Sequence, residues 1–166
     1  TRIRKLTEDN LDAVILAAAG MHRLGFSGQI GEYLPVEISL PAIGQGALGI
    51  ESRIDDAEIN EIIDFFNHPE TDRAVRGERA FLGRLEGGCQ VPIDCHGIVT
   101  GDQLNLTGLV ADVEGKELLK KTVTGHVDTA EKMGISLADD LLIKGAGRIL
   151  NEVYNCETFN VGKEDV

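Results

Sequence analysis

The sequence has no tryptophan, two tyrosines and five phenylalanines, so aromatic residues make up 4% of the chain and any core must come from Leu, Ile, Val and Ala. Basic residues are scarce: 16 Lys and Arg stand against 28 Asp and Glu, a net charge of −12. That balance argues against a nucleic-acid or anionic-membrane surface, because phosphate binding needs a basic face. The three cysteines, Cys89, Cys95 and Cys156, are too few and too irregular for a disulfide framework, and one is left over. Reduced thiols in a cytoplasmic protein fit better. The longest apolar run, Ala13 to Gly20, is far short of a membrane span. Thr1-Arg2-Ile3-Arg4-Lys5 leads into no h-region or cleavage site, so no signal peptide is read here. The chain opens without Met in what reads as the middle of an element, which suggests part of a longer protein.

What is present is an ordinary soluble composition, 42% hydrophobic and 27% charged over 166 residues, long enough to bury a core as one domain or two small ones. Asp12 to Ala17 is a continuous apolar run of strand length, and Ala18 to Leu24 reads as a short helix stopped by Gly25. A strand–helix step of this kind borders the ligand crevice in open α/β sheets. Gly28 to Pro35 reads as loop and Val36 to Leu40 as a short strand. Pro41 to Ile50 carries Gly44, Gly46 and Gly49, which suit either a flexible crossing between two lobes or backbone held close to a ligand, with Gln45 offering an amide.

Asp55-Asp56-Ala57-Glu58 has the form of a capping box before Ile59, Ile62, Ile63 and Phe66 at helical spacing. Asn67-His68-Pro69 ends that helix and opens another, with Pro69 in its first turn. The second helix carries Ala74, Val75, Glu78, Phe81, Leu82 and Leu85 on one side, with Glu78 read as an edge residue or ion-pair partner. Gly87-Gly88 should stop it. Strands are expected over His96–Thr100, Leu104–Val110 and Lys116–Thr124, joined by turns at Gly101-Asp102 and Glu114-Gly115 into an antiparallel meander. Asp128-Thr129-Ala130-Glu131 is a second capping box. A single long amphipathic helix follows, from Ala130 to Val153, weakened at Gly145 and Gly147, and the tail frays from Asn155. Residues 69–166 thus read as an α+β unit, and residues 1–65 as part of something larger within an α/β protein.

Cys89 is the residue most open to chemistry. A cysteine is more often a small buried hydrophobe than a nucleophile, yet Gly87-Gly88 beside it favours an accessible thiol on a tight loop. The preceding helix points its negative end at this loop, which disfavours the thiolate, with Arg84 placed to offset part of that effect. Such a thiol suits capture of a strong electrophile better than repeated turnover. Asp94-Cys95-His96 invites a zinc reading but matches no standard ligand spacing, so alternating strand side chains are the better account and no metal is assigned. Arg2 and Arg23 flank the first strand–helix step, either as solvated surface or as bidentate carboxylate holders. His22 reads as surface.

Four blocks together resemble the hydroxymethylbilane synthase (porphobilinogen deaminase) family. They are Asp12 to Gly25, Leu40 to Glu51, Glu78 to Ile93 with its Leu85-Glu86-Gly87-Gly88-Cys89 core, and Met133 to Ala138. The resemblance runs through nearly the whole chain in the family's order. It implies a three-domain monomer with two periplasmic-binding-like domains and a small domain of three antiparallel strands covered by helices. Residues 1–40 would belong to domain 2, 41–66 to the segment returning to domain 1, and 67–166 to domain 3. It further implies stepwise condensation of four porphobilinogen molecules, with loss of ammonia, into linear hydroxymethylbilane. The growing oligopyrrole chain would be primed on a dipyrromethane cofactor linked through a thioether to Cys89. Arg2 and Arg23 match arginines that bind cofactor and substrate carboxylates, and Gln45 and Gly46 match positions bordering the cleft. No catalytic residue is assigned within this chain, because the expected aspartate belongs to the family's N-terminal part. These residues alone are therefore expected to be inactive. The family more often has a small residue and then an aromatic where this chain has Asp94-Cys95-His96, which raises misattachment or oxidation at Cys95.

Two rivals follow from the same residues. A non-catalytic module of two lobes would hold a small carboxylate with Arg2 and Arg23 and leave Cys89 unmodified. A thiol redox or zinc protein would use Cys89 and Cys95.

Overall fold

The computed structural model describes residues 2–86 and 92–158, the side chains of 154–158 excepted. The chain divides into two compact units, Thr1–Ser39 and Leu40–Val166.

The first unit holds two short helices, α1 (Arg2–Glu8) and α2 (Ala18–Arg23). Asn10 ends the first excursion with φ 51°, and Gly25 stops α2 in the left-handed region at φ 76°, as its position predicts. The expected strand over Asp12–Ala17 does not form: these residues are irregular, and Ile15 is 74% exposed. A strand needs a hydrogen-bonded neighbour, and the described residues of this unit offer none. The expected strand over Val36–Leu40 is likewise replaced by a turn, closed by the N–H groups of Ile38 and Ser39 on the Pro35 carbonyl.

The second unit carries the core. After the glycine passage, α3 (Ala57–Ile63) starts where the Asp56 carboxylate accepts the Ile59 N–H at 3.3 Å, then tightens into a 3-10 turn over Asp64–Phe66. Leu48, Ile50, Ile54, Ile62, Phe65 and Phe66 hold their side chains in solvent. Helix α4 (Pro69–Arg84) opens on His68, whose Nδ1 accepts the Thr71 N–H, with Pro69 in the first turn. It ends before the glycines: Leu85 is its cap and Glu86 takes the left-handed conformation, φ 53°. The stop expected at Gly87-Gly88 is therefore already made by Glu86.

Strands β1 (Ile93–Thr100), β2 (Gln103–Ala111) and β3 (Leu118–His126) form an antiparallel meander in the order β1-β2-β3, as predicted. The register sets Cys95 opposite Gly108 and Gly108 opposite Lys121. Gly101 turns the first hairpin with φ 60°. The second capping box fails. His126, not Asp128, caps the 3-10 turn Val127–Thr129, and Thr129 makes no side-chain cap on α5 (Ala130–Ile143). The predicted long helix is two helices, because Gly145 adopts φ 109° between α5 and α6 (Ala146–Thr158). Helix α6 runs past Asn155, where fraying was expected.

Helices α4 and α5 cover one face of the sheet. Phe81, Cys95, Leu104, Leu106, Val110, Leu137, Leu141 and Ile149 are fully buried between them. Missing side chains permit the close approach. A Cβ on Gly108 would lie 2.7 Å from the Phe81 ring, and one on Gly134 would lie 2.2 Å from the Gly77 carbonyl oxygen on α4. The α+β reading of the C-terminal part holds.

Candidate functional site

The glycine passage is fixed onto the second unit by two contacts of different kinds. Ile43 packs against the core. One residue on, the Gly44 N–H donates to Glu78 Oε2 at 2.7 Å. Gly44 and Gly46 sit at φ 69° and 88°, values that side chains rarely tolerate, which is why glycine occupies both positions. Between them Gln45 is exposed, its N–H bonded to the Ala42 carbonyl. Gly44–Ala47, His68, Thr71, Glu78, His96 and Gly97 line an open cleft of about 420 Å³.

Glu78 is 4% exposed and is the buried charged residue of the described chain. Its other oxygen, Oε1, accepts the Gly97 N–H of β1 at 2.8 Å, and His96 Nδ1 lies 3.7 Å away. The edge-residue reading is therefore corrected. An acidic side chain on an apolar helical face signalled an anomaly in the sequence, but its partners are backbone donors that no residue type announces. Two charge-assisted bonds offset the cost of taking the carboxylate out of water.

Cys95 faces the core from β1 and is fully buried, while its neighbours Asp94 and His96 point to the other face. Burial first, then the negative charge of Glu78, pushes the thiol far above its ordinary range, and burial raises Asp94 too. A protonated, enclosed thiol cannot compete for an electrophile, which corrects the expectation of misattachment at Cys95. Arg84 is also taken: its guanidinium pairs with Asp139 on α5 at 2.7 Å. Cys89 lies outside the described residues, as do Gly87 and Gly88.

Arg2 on α1 and Arg23 at the end of α2 both belong to the first unit, and both are exposed. The arginine ion pairs among the described residues involve Arg4, Arg73, Arg76, Arg84 and Arg148, so Arg2 and Arg23 have no carboxylate partner there, and neither do Arg53 and Arg79. Gln45 and Gly46 belong to the second unit. A hydrogen-bonded cluster unseen in the sequence lies beside Arg23. His22 meets Ser27 Oγ at 2.8 Å and the Tyr33 hydroxyl at 3.1 Å, with the His22 and Tyr33 rings stacked.

These features define a two-unit protein in which a glycine passage enters a helix-covered antiparallel meander. Comparison with known proteins narrows the class. Residues 1–61 match the family model described as porphobilinogen deaminase, dipyromethane cofactor binding domain, and residues 73–143 match that for the porphobilinogen deaminase C-terminal domain. The porphobilinogen deaminase of Geobacter metallireducens is 65% identical over 157 residues, covering 95% of this chain and 49% of the relative. Those of Geobacter sulfurreducens and Trichlorobacter lovleyi are 62% and 55% identical over the same length, again with 95% of this chain covered and 49% and 50% of the relatives. The chain belongs to the porphobilinogen deaminase family. It spans about half the length of the curated relatives it matches.

Proposed function

We propose that the longer protein to which this sequence corresponds is a hydroxymethylbilane synthase. It would join four porphobilinogen molecules head to tail, releasing ammonia, into linear hydroxymethylbilane for tetrapyrrole (heme) synthesis. The observation that carries this reading is the succession of a cofactor-binding match and a C-terminal match along one chain, with Cys89 inside the second.

Cys89 would hold the dipyrromethane cofactor through a thioether. When bound, that group supplies the anchored primer to which pyrrole units are added. Each pyrrole carries two carboxylates, so an acidic protein needs local cations to receive them. Arg2 and Arg23 fit that need as exposed guanidiniums that no described carboxylate occupies. The Gln45 amide and the open backbone at Gly46 are suited to bordering the bound chain. All four lie within residues 1–61. The residue types Gly87-Gly88 beside Cys89 suit an accessible thiol. Cys95, enclosed in the core, leaves Cys89 without a competitor on β1.

The proposed domains are 1–40 in domain 2, 41–66 returning to domain 1, and 67–166 as domain 3. The solvent-held apolar side chains between Leu48 and Phe66 support a stretch that packs against further sequence. The aspartate that assists ammonia loss would come from that further sequence, so this chain alone would not turn over. A cytoplasmic setting belongs to the same proposal, supported by cysteines too few and too irregularly spaced for a disulfide framework. No described helix is long and apolar enough to cross a membrane. We further propose that the protein works as a monomer.

The test is intact mass with peptide mapping of Cys89 on freshly purified full-length protein. Two linked porphobilinogen-derived units on Cys89 are expected. A bare Cys89 in protein that still makes hydroxymethylbilane would refute the attachment at Cys89, and full-length protein that neither carries the added mass nor makes hydroxymethylbilane would refute the synthase reading.

A further inference from the structure

The Gln45 side chain makes no hydrogen bond to a described residue, so the place of Gln45 and Gly46 is set by their backbone. Two short turns shape that backbone: Gln45 N–H to Ala42 O at 2.9 Å and Ala47 N–H to Gly44 O at 3.1 Å. Neither turn attaches the passage to anything outside itself. Ile43 does attach it, but apolar packing has no fixed direction and tolerates sliding. Among the described residues, the one directional link from the passage to the sheet is the Glu78 carboxylate, with one oxygen on Gly44 of the passage and the other on Gly97 of β1.

The chemistry of this link is specific. Both partners are donors, so the side chain must accept at both ends. A carboxylate does so. A carboxamide accepts at one end and donates at the other, which would set an N–H against an N–H. Aspartate is one methylene shorter and cannot span the same gap from α4.

We propose that Glu78 is a positioning residue, holding the Gly44–Gly46 passage against β1 and thereby fixing where Gln45 and Gly46 are presented. The tie itself is a property of this chain. Its consequence for turnover rests on the synthase reading given above.

Amide hydrogen exchange tests the tie directly. In the unsubstituted chain, the Gly44 amide should exchange far more slowly than that of Gly46, which has no acceptor among the described residues. In Glu78→Gln, exchange at Gly44 or Gly97 should rise roughly tenfold to a hundredfold, the worth of a hydrogen bond to a charged acceptor. The amides of β2 should change little. Equal rates at Gly44 and Gly46 in the unsubstituted chain would overturn the proposal, whether or not any variant folds. In the full-length protein, Glu78→Gln should keep the added mass on Cys89 while kcat falls or KM rises. A released Gly44 amide with both constants unchanged would overturn the positioning role. A bare Cys89 in unsubstituted protein that makes no hydroxymethylbilane would instead strike the synthase reading, and the Gly44 rates would still decide the tie.

Discussion

Gly134→Ala should destabilise the second unit, although the same exchange on an open helical surface stabilises. Gly134 lies inside α5, where alanine is favoured over glycine by about 1 kcal/mol. An added Cβ would lie 2.2 Å from the Gly77 carbonyl oxygen, 2.9 Å from the Phe81 nitrogen and 3.0 Å from the Ala80 Cβ. Two of those atoms are α4 backbone, so no side-chain rotation relieves the clash and the helices must move apart. That separation also loosens Phe81 and Leu137, both fully buried near the crossing. Overpacking of this kind costs about 1–3 kcal/mol, and a backbone contact this short belongs at the upper end. After the propensity gain, a net loss of about 2 kcal/mol remains, or roughly 8 °C in Tm at about 4 °C per kcal/mol. Gly83→Ala is the control. It lies in the last turn of α4, with nothing within 4 Å of its Cβ position, and should stabilise by about 0.5–1 kcal/mol. Urea unfolding of the two variants beside the parent chain measures the contrast. Equal stabilisation by both would refute the close α4–α5 crossing.

Cys95 should make stability fall at alkaline pH. Its folded thiol is held far above the ordinary value of 9.0, so the unfolded chain ionises first. The contribution is whole below about pH 9 and declines above it by about 1.4 kcal/mol per pH unit. Urea titrations at several alkaline pH values should show a steeper decline for the parent than for Cys95→Ala, and parallel declines would contradict the enclosed thiol. Glu86 holds a left-handed conformation that costs a side-chain-bearing residue about 1 kcal/mol. Glu86→Gly should therefore raise the unfolding midpoint, less whatever contact the glutamate side chain makes, and a clear loss of stability would show that this contact dominates.

The meander was readable because alternation and glycine-bearing turns are local signals, and the Pro69 helix start was readable for the same reason. Gly145 marks a weak point in the helical pattern, but a composition pattern does not reveal φ 109°, which turns one stripe into two helices. The Asp12–Ala17 run failed in the opposite way. Its residues favour a strand, but a ladder needs a second strand, and the propensity of one segment cannot supply it. Arg2 and Arg23 in the first unit, and the glycine passage in the second, are visible in the sequence as residue types. Glu78 was visible only as a misfit, because the donors that bury it are the main chain of Gly44 and Gly97. Glu86 went unread because glycines one residue later look like the better stop.

The Gly77–Gly134 crossing also bears on the expected order of folding. The strands of the meander are sequence neighbours, so their pairing closes short loops, whereas α4 and α5 lie on either side of the entire sheet in sequence and meet only by closing a loop that contains it. A contact that closes only after the rate-limiting step is absent from the transition state, and this crossing is expected to be one. Widening this crossing should therefore leave the rate of folding nearly unchanged and hasten unfolding, so that the two glycines govern how long the folded domain persists once made.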